Sequence, residues 1–207
     1  MNNSQSKPAA TRRLNPRKMP SQSRSTHTVE AIIEGAAHIL EQHGLKGYTT
    51  NAIAARAGVS IGSLYQYFPT KDAVTVALIE REMTELVQEA KQVLLRDDRG
   101  EALRQLIEVA VRYQLRRPVL AMLLDFEEHR LSAIMPKSGT KATMHAELVE
   151  FLQVGVMSGK VSANIAASEI MAIISSLTDA AGRHGDDQQE QLIDRIEAAL
   201  LGYLSII

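Results

Sequence analysis

The sequence predicts an all-α protein of about nine helices, in which an N-terminal three-helix helix-turn-helix domain precedes a larger helical domain. Two observations support this prediction. Apolar residues recur every three or four positions through most of the chain after residue 24, which is the period of a helix with one buried face. No segment shows the apolar–polar alternation of a strand bounded by turns.

The N-terminal segment, residues 1–24, is rich in Ser, Asn, Pro and basic residues and has few apolar side chains to bury. This composition predicts a disordered basic arm. The pattern changes at Ser25. The apolar face that follows predicts the first helix and consists of Val29, Ile32, Ile33, Ala36, Ala37 and Leu40.

The stretch "TTNAIAARAGVSIGSLYQYFPTKDAV", residues 49–74, predicts two short helices joined by a tight turn. We expect Thr50 to cap the first of them, because its hydroxyl can accept a hydrogen bond from the backbone of the first turn. Gly58 suits the left-handed conformation of the turn. Ser60 is expected to cap the second helix, which runs to about Phe68.

A long helix is predicted over 71–95, with Thr70 as its cap and an apolar stripe along one side. After a polar break the helical period resumes, and Pro118 separates the next helix from its successor. The remaining periodic segments cover about 118–132, 141–157, 164–183 and 187–206.

Composition and charge limit the possible function classes. The 207-residue chain has no cysteine, which excludes disulfides and thiolate metal sites and fits a reducing cytoplasm. No apolar run approaches the ~18–20 residues of a membrane span, so we expect no membrane partner. Residues 1–72 hold nine Lys and Arg against four Asp and Glu, a net charge of +5 in a chain whose total is −1. This asymmetry predicts a polyanionic partner for the N-terminal third; a basic tail that only aids solubility is the alternative.

The second short helix carries side chains suited to DNA. In a helix-turn-helix this helix enters the major groove. Its hydroxyl groups can donate to phosphates, Gln66 can pair with an adenine edge, and Ile61 can touch a thymine methyl group. Lys71 adds a charge directed at phosphate. The alternative is that Tyr65 and Tyr67 are core residues of a generic three-helix unit, but a helical wheel cannot bury both together with the apolar residues.

This stretch resembles the DNA-binding region of TetR-family (tetracycline-repressor-like) transcriptional regulators. The matching pattern is Thr49-Thr50, Ile53-Ala54, Ala57-Gly58-Val59-Ser60, Leu64-Tyr65-x-Tyr67-Phe68 and Lys71. The resemblance is specific over residues 28–80; beyond residue 95 it consists of length and helical character. It implies DNA contacts from Thr50, Asn51, Ser60, Ile61, Gly62, Ser63, Tyr65, Gln66, Tyr67 and Lys71.

The resemblance also implies a division into a DNA-binding domain over 25–72 and a C-terminal effector-binding and dimerisation domain over 73–207. It implies a homodimer built from the last two helices. Their apolar stripes supply the candidate interface residues Ile170, Ile173, Ile174, Leu177, Ala181, Ile196, Leu200 and Tyr203. The alternative is that both helices belong only to the core of one subunit.

A pocket for a small-molecule effector of unknown identity is implied in the C-terminal domain. The candidate lining residues are Tyr113, Met122, Phe126, His129, Met144, His145 and Phe151. The alternative is that most of them are ordinary core residues, since Met fills irregular gaps with or without a ligand. Asp125 and His129 lie one helical turn apart, but a solvated pair is expected there and no metal site.

These inferences predict a sequence-specific transcriptional regulator that binds a palindromic double-stranded DNA operator as a homodimer in the cytoplasm. Repression with release by the effector is the expected mechanism. The sequence has no Gly-rich phosphate loop, no H-E-x-x-H helix and no cysteine nucleophile, so neither catalysis nor a cofactor is expected. An enzyme, and a constitutive DNA-binding protein without ligand control, are the alternatives.

Overall fold

The computed structural model describes residues 23–133, 135, 139–153, 161–185 and 188–207, and within them it contains nine α-helices and no strand. The helices are α1 (Ser23–Gly47), α2 (Thr50–Arg56), α3 (Ile61–Tyr67), α4 (Lys71–Leu94), α5 (Arg99–Arg116), α6 (Pro118–Leu131), α7 (Thr140–Gln153), α8 (Ala163–His184) and α9 (Gln189–Leu204). The predicted all-α class is confirmed. The predicted disordered arm lies, up to residue 22, outside the described residues, as does the predicted end of the seventh helix.

Side-chain caps determine where the short helices begin. The hydroxyl of Thr49 accepts a hydrogen bond from the Ala52 backbone nitrogen at 3.2 Å, so Thr49 is the cap of α2 and Thr50 is its first residue. The prediction that Thr50 is the cap was wrong by one position, because Thr49 has the extended backbone that a cap requires. Ser60 and Thr70 cap α3 and α4 as predicted, with hydrogen bonds of 3.0 and 3.1 Å to the third residue of each helix.

The turn between α2 and α3 depends on Gly58. Its φ of 69° lies in the left-handed region, which side chains with a Cβ rarely adopt. The helix-turn-helix is therefore formed by a threonine cap, a left-handed glycine and a serine cap in close succession, as the sequence predicted.

The N-terminal core unites α1, α2 and α3 with the beginning of α4 and part of α6. Its largest fully buried side chains are Tyr48, Phe68, Ile32, Leu40, Ile53, Leu64, Leu78 and Leu120. Leu120 and Leu124 of α6 close this core from the side of the second domain. The helix-turn-helix is thus packed directly against an element that lies more than forty residues further along the chain.

The C-terminal core is formed by the second half of α4 together with α5, α7, α8 and α9. Its fully buried residues include Ile107, Leu148, Ile170 and Ile196, one from each of the four later helices. Helix α4 therefore contributes to both cores, the N-terminal core with its first turns and the C-terminal core with its last.

Among the described helices, α8 is the one that is long and apolar enough by length and composition to cross a membrane. Its inner face, which includes Ala167 and Ile170, is fully buried against the C-terminal core. About a third (33%) of its most apolar 18-residue window is buried, and the rest of the helix surface is at least partly accessible.

We expect Gly35→Val to destabilise the N-terminal core. A Cβ at Gly35 would lie 3.1 Å from the Ala57 backbone nitrogen and 3.2 Å from the Ile53 carbonyl oxygen, so a branched side chain would push α2 away from α1. Overpacking of this kind costs about 1–3 kcal/mol. Urea unfolding followed by circular dichroism measures the loss, and Gly100→Val is the control because a Cβ there makes only an ordinary contact at 3.5 Å. Equal stability of the two variants would contradict the prediction.

Candidate nucleic-acid interface and internal cavity

Helix α3 presents one face to solvent. Leu64 is fully buried in the N-terminal core, whereas Ile61, Gly62, Tyr65 and Gln66 are exposed. Ile61 and Tyr65 keep 38% and 43% of their surface accessible. The outer face of α3 is therefore available to a partner outside the subunit.

Three further candidate residues, the cap Ser60 and the α3 residues Ser63 and Tyr67, are partly engaged in contacts within the subunit. Ser60 and Ser63 exchange a hydroxyl hydrogen bond of 2.8 Å at the start of the helix, so their side chains are already oriented. Tyr67 is half-buried and packs against the N-terminal core. The interpretation of Tyr67 as a core residue is therefore correct for part of its side chain, while Tyr65 points outward.

The beginning of α2 lies beside α3. The hydroxyl groups of Thr50 and Tyr65 are 3.2 Å apart, and Asn51 next to Thr50 is exposed. Candidate residues that are fifteen positions apart in sequence thus form one polar patch. This patch consists of hydroxyl and amide groups, which suit phosphate oxygens and base edges.

Lys71 is held in place by a residue that the sequence analysis missed. Its ammonium group lies 5.3 Å from the centre of the Tyr48 ring, a cation–π contact. The Tyr48 hydroxyl lies 3.1 Å from that of Thr75, which in turn donates to the Lys71 carbonyl oxygen at 3.1 Å. Burial raises the pKa of Tyr48 to about 12, so the phenol is neutral. A single buried aromatic residue between Gly47 and Thr49 gave no periodic signal from which this role could be predicted.

Two basic residues of this region were counted in the charge analysis but not assigned to the interface. Lys46 precedes α2 and Arg56 is the last residue of α2, and both side chains are exposed. They add positive charge to the region that presents the polar patch. Their charge was the available signal, but helical spacing alone does not place them relative to α3.

A cavity of about 530 Å³ lies inside the helical region between α4, α5, α7 and α8, with α6 at one end. Most of its surface is apolar. The apolar lining residues are Met83, Leu86, Ala90, Leu106, Ala110, Ala142, Met144, Leu148, Met171, Ala172 and Ile174. A cavity of this size is in the range of small-molecule sites.

Of the seven predicted pocket residues, Tyr113, Met144 and His145 line this cavity. The other four do not. Met122, Phe126 and His129 are exposed on the outer face of α6, which turns Asp125 and Glu128 towards the cavity. Phe151 is buried beneath the guanidinium group of Arg99, 4.6 Å from its ring centre. The prediction failed at these four residues because the faces of α6 and α7 that meet the cavity depend on their neighbours.

The polar end of the cavity contains three side chains that sequence analysis did not bring together. Gln114 of α5 donates its amide to Asp179 of α8 at 2.6 Å and to Asp125 of α6 at 3.4 Å. Burial, and next the charge of Asp179, raise the pKa of Asp125 to about 6, and burial also raises the pKa of Asp179. The two carboxyl groups, 54 positions apart in sequence, form one coupled acid pair.

The other charged groups of the cavity have partners. Glu128 accepts a hydrogen bond from Lys141 at 2.7 Å. His145 Nε2 lies 3.1 Å from both the Asn164 carbonyl oxygen and the Ser168 hydroxyl. Within the described residues, no group of three or more His, Asp or Glu side chains is placed to hold a metal ion.

The candidate interface residues of α8 and α9 divide into two groups. Five of them are buried in their own subunit: Ile170, Ile174, Ala181, Ile196 and Leu200. Their assignment to a surface between subunits is corrected, because the apolar stripe of each helix is used by the core of the same chain. Ile173 and Leu177 remain partly accessible, and so does Tyr203, whose hydroxyl donates to Glu169.

A three-helix unit whose third helix is exposed, joined to a helical domain with a cavity, is an arrangement typical of helix-turn-helix proteins. Comparison with known proteins shows which family this part of the chain is similar to. Residues 32–78 match the sequence model of bacterial regulatory proteins of the tetR family. Over this stretch the chain is similar to the tetR family, in agreement with the resemblance that the sequence shows over residues 28–80.

The chain is also similar to known relatives over part of its length and to solved structures in its fold. The chain is 29% identical over 116 residues to the nucleoid occlusion factor SlmA of Vibrio vulnificus, a match that covers 53% of this chain and only 59% of the relative. A putative transcriptional regulator from Pseudomonas aeruginosa has the same fold, with a TM-score of 0.70 and 19% identity over 89% of this chain and 93% of its own. The regulator FadR from Bacillus subtilis, solved in complex with stearoyl-CoA, gives a TM-score of 0.64 and 17% identity over 84% and 96%.

We expect Asp125→Asn to stabilise the protein at neutral pH. The raised pKa of Asp125 means that the folded state binds this proton more tightly than the unfolded chain, whose value is 3.8. Ionisation therefore removes stability as pH rises from about 4 through about 6, and the amide avoids this loss. Because Asp125 is partly exposed to solvent, we expect a gain of only about 1 kcal/mol, or ~2–4 °C in melting temperature.

Thermal unfolding of both proteins at pH 7.5 and pH 4.5 measures the effect, which should shrink at the lower pH. Asp97→Asn removes a carboxylate from an exposed position and is the control. A variant that melts below the wild type at pH 7.5, or by the same margin at both pH values, would contradict the expectation.

Proposed function

We propose that the protein is a homodimeric repressor of transcription in the cytoplasm that binds a palindromic operator and is released by a small-molecule effector. In this proposal residues 25–72 read the DNA and residues 73–207 bind the effector and the second subunit. Catalysis has no part in it. The observation that carries the proposal is that two helices, α4 and α6, contribute both to the cavity and to the core that supports the recognition helix.

The surface of α3 supports DNA as the partner. A glycine inside a helix costs about 1 kcal/mol relative to alanine. At Gly62 nothing in the subunit requires it, because the nearest side-chain atom to an added Cβ would be the Ser60 hydroxyl at 3.8 Å. A glycine at this position would allow a partner to approach the helix backbone closely. DNA that receives α3 in its major groove is such a partner.

The dimer is supported by the outer faces of α8 and α9. On α8 the accessible residues Ile173, Ser176, Leu177 and Ala180 share one face, and on α9 Ala198, Leu201, Gly202 and Ser205 do the same. Leu201 keeps 52% of its surface exposed. Small and apolar residues on adjacent helices allow close packing against a symmetry mate, which buries them in a four-helix interface.

The long helix α4 provides one connection between effector and DNA. Ala73, Val74 and Leu78 are fully buried in the N-terminal core, whereas Met83 and Leu86 line the cavity. A ligand that changes the position of the cavity wall therefore acts on the helix that begins at Lys71, a candidate phosphate contact. This geometry favours a tilt of α4 as the movement that follows binding.

Helix α6 provides the second connection. It carries Asp125 into the cavity, while its first residues are tied to α1 through Arg117, which donates to Glu41 at 2.7 Å. Near its end Arg130 donates to Asp72 at the beginning of α4, also at 2.7 Å. A shift of α6 thus reaches both helices that flank the helix-turn-helix.

The size of the required effect is modest. Two recognition helices must be about 34–36 Å apart to read successive major grooves. An effector that favours a different spacing by about 1–3 kcal/mol lowers operator affinity about 5–150-fold. Such an energy is available from burial of a small apolar ligand.

The relatives named above bear on this proposal. The complex of FadR with stearoyl-CoA places a small-molecule ligand in a protein of this fold and supports effector control here. The name of the SlmA relatives favours a second candidate, a DNA-binding protein with a role in nucleoid occlusion. The cavity favours the first candidate, because occlusion by itself gives no reason for an internal space of about 530 Å³.

Selection of bound sequences from a random DNA pool tests the proposal, and an inverted repeat is the expected product.

On that operator we expect Lys71→Ala to lower affinity about tenfold and to reduce the salt dependence by about one ion, because one phosphate contact is lost. Fluorescence anisotropy over a range of salt concentrations measures both. Lys91→Ala, on the same helix but paired with Glu147, is the control. Unchanged affinity in Lys71→Ala would remove this residue from the interface, and selection of a single half-site would contradict the palindromic operator.

We expect the double variant Leu177→Glu, Leu201→Glu to be monomeric. Each carboxylate would be placed in the proposed interface without a cation, at a cost of several kcal/mol per subunit. Sedimentation equilibrium measures the mass, and operator affinity should fall with it. Leu95→Glu is the control, since Leu95 is 75% exposed at the end of α4 and far from this face in sequence. A double variant that keeps the mass of a dimer would overturn the choice of interface.

A further inference from the structure

The cavity is chemically asymmetric. Its walls are apolar over most of their surface, with three methionines among them, Met83, Met144 and Met171. Its end near α6 holds Asp125 and Asp179, both in hydrogen-bond contact with the one amide of Gln114. Any ligand that fills the cavity therefore contacts apolar walls along most of its length and two carboxyl groups at one end.

The acid pair has no cationic partner in the part of the chain that the structure describes. The charged and titratable groups that face the cavity are Tyr113 from α5, Asp125 and Glu128 from α6, Lys141 and His145 from α7, and Asp179 from α8; α4 contributes apolar residues. Lys141 forms an ion pair with Glu128, and His145 is hydrogen-bonded to Asn164 and Ser168. Arg183, one turn after Asp179 on α8, acts on it only through its charge at a distance.

We propose that the cavity binds a hydrophobic ammonium compound, with the protonated amine between Asp125 and Asp179 and the apolar body among the methionines. This inference rests on the proposed function in that it gives the chemical class of the effector. An ammonium group has N–H donors for both carboxylates and supplies the positive charge that the described residues do not place there.

Other ligand classes satisfy this site less well. A carboxylate or phosphate ligand would add a third negative charge beside the acid pair, which is repulsive inside an apolar cavity. A neutral alcohol can donate one hydrogen bond but leaves the repulsion between the two aspartates in place. Of these three classes, only the ammonium group both reduces the repulsion between the two aspartates and donates hydrogen bonds to both carboxylates.

The cavity walls suit a range of apolar bodies. Methionine side chains are unbranched and polarisable, so they adapt to ligands of different shape. The volume of about 530 Å³ lies within the range of about 300–1,000 Å³ found for small-molecule sites. We therefore expect the cavity to select ligands by their positive charge and to accept apolar groups of different shape.

The protonation of the site adds a specific signature. Binding of an ammonium ion favours the doubly ionised acid pair, so a proton that the pair shares is released to solvent when the complex forms near or below pH 6. Affinity should accordingly fall as the pH is lowered through this range, because the cation then competes with the proton.

Isothermal titration calorimetry of the full-length protein with three probes of equal chain length tests the proposal: decylammonium chloride, 1-decanol and sodium decanoate, all below their micellar concentrations. At pH 7.5 we expect decylammonium to bind with one site per chain and about 10–100-fold more tightly than decanol, and decanoate to bind most weakly. At pH 6, titrations in buffers of different ionisation enthalpy should show proton release for decylammonium only.

The variants Asp125→Asn and Asp179→Asn keep the size and hydrogen-bonding capacity of the site, and each should reduce the preference for decylammonium over decanol to less than about threefold. Asp97→Asn, which removes an exposed carboxylate elsewhere, should keep the wild-type preference. The proposal is overturned if decanol or decanoate binds the wild type as tightly as decylammonium, or if both amide variants keep the preference.

A parallel measurement of operator affinity with and without decylammonium separates this inference from the proposed function. Tight, charge-selective binding with no change in operator affinity would contradict effector release and leave the ligand class established. Release of the operator by an anionic or neutral compound, with no binding of decylammonium, would support the regulator and overturn the ammonium site.

Discussion

The structure depends on one constraint: the single helix α4 must pack into both hydrophobic cores at once. A helix of 24 residues is about 36 Å long and is stiff over that length. Its first turns are buried with the helix-turn-helix, its middle lines the cavity, and its last turns are buried with α5 and α7. Since a helix cannot bend freely between two packed cores, the position of one core constrains the other.

The junction between the two cores combines apolar contacts with exchangeable ion pairs. Leu120 and Leu124 fix α6 against the N-terminal core, and their burial sets where α6 lies. The ion pairs Arg81–Glu34, Arg117–Glu41 and Arg130–Asp72 surround this contact, and at least one partner in each is partly exposed. Exposed pairs contribute little net energy each, so they orient the domains without locking them. A junction held in this way can respond to a ligand that supplies only a few kcal/mol.

The sequence predicted best what depends on neighbouring residues. The caps Ser60 and Thr70, the turn at Gly58 and the start of α6 at Pro118 follow from local backbone chemistry, and the structure has them where the pattern indicated. The one-residue error at Thr50 has the same origin, because two adjacent threonines can both serve as a cap and only the backbone angles decide between them.

The sequence predicted less well what depends on tertiary contacts. Helical spacing showed that Ile170, Ile196 and Leu200 share apolar faces, but it cannot state whether such a face meets its own subunit or another. The accessible residues Ile173, Leu177 and Tyr203 were part of the predicted set, whereas Leu201 on α9 was not. Similarly, Asp125 and Asp179 lie on different helices, and no spacing rule connects residues that are paired only by the packing of α6 against α8.

In the proposed mechanism, the position of α6 allows a charge in the cavity to act on DNA binding over a short distance. Asp125 is one member of the acid pair and lines the cavity, and the residue before it, Leu124, is buried in the N-terminal core. The polar end of the cavity and the support of the recognition helix are therefore separated by the thickness of a single helix. When the repulsion between Asp125 and Asp179 changes, the force falls on a helix whose adjacent face packs into the N-terminal core. Since interiors are close-packed, a small displacement of Leu124 cannot be absorbed locally and must move α1 or α4.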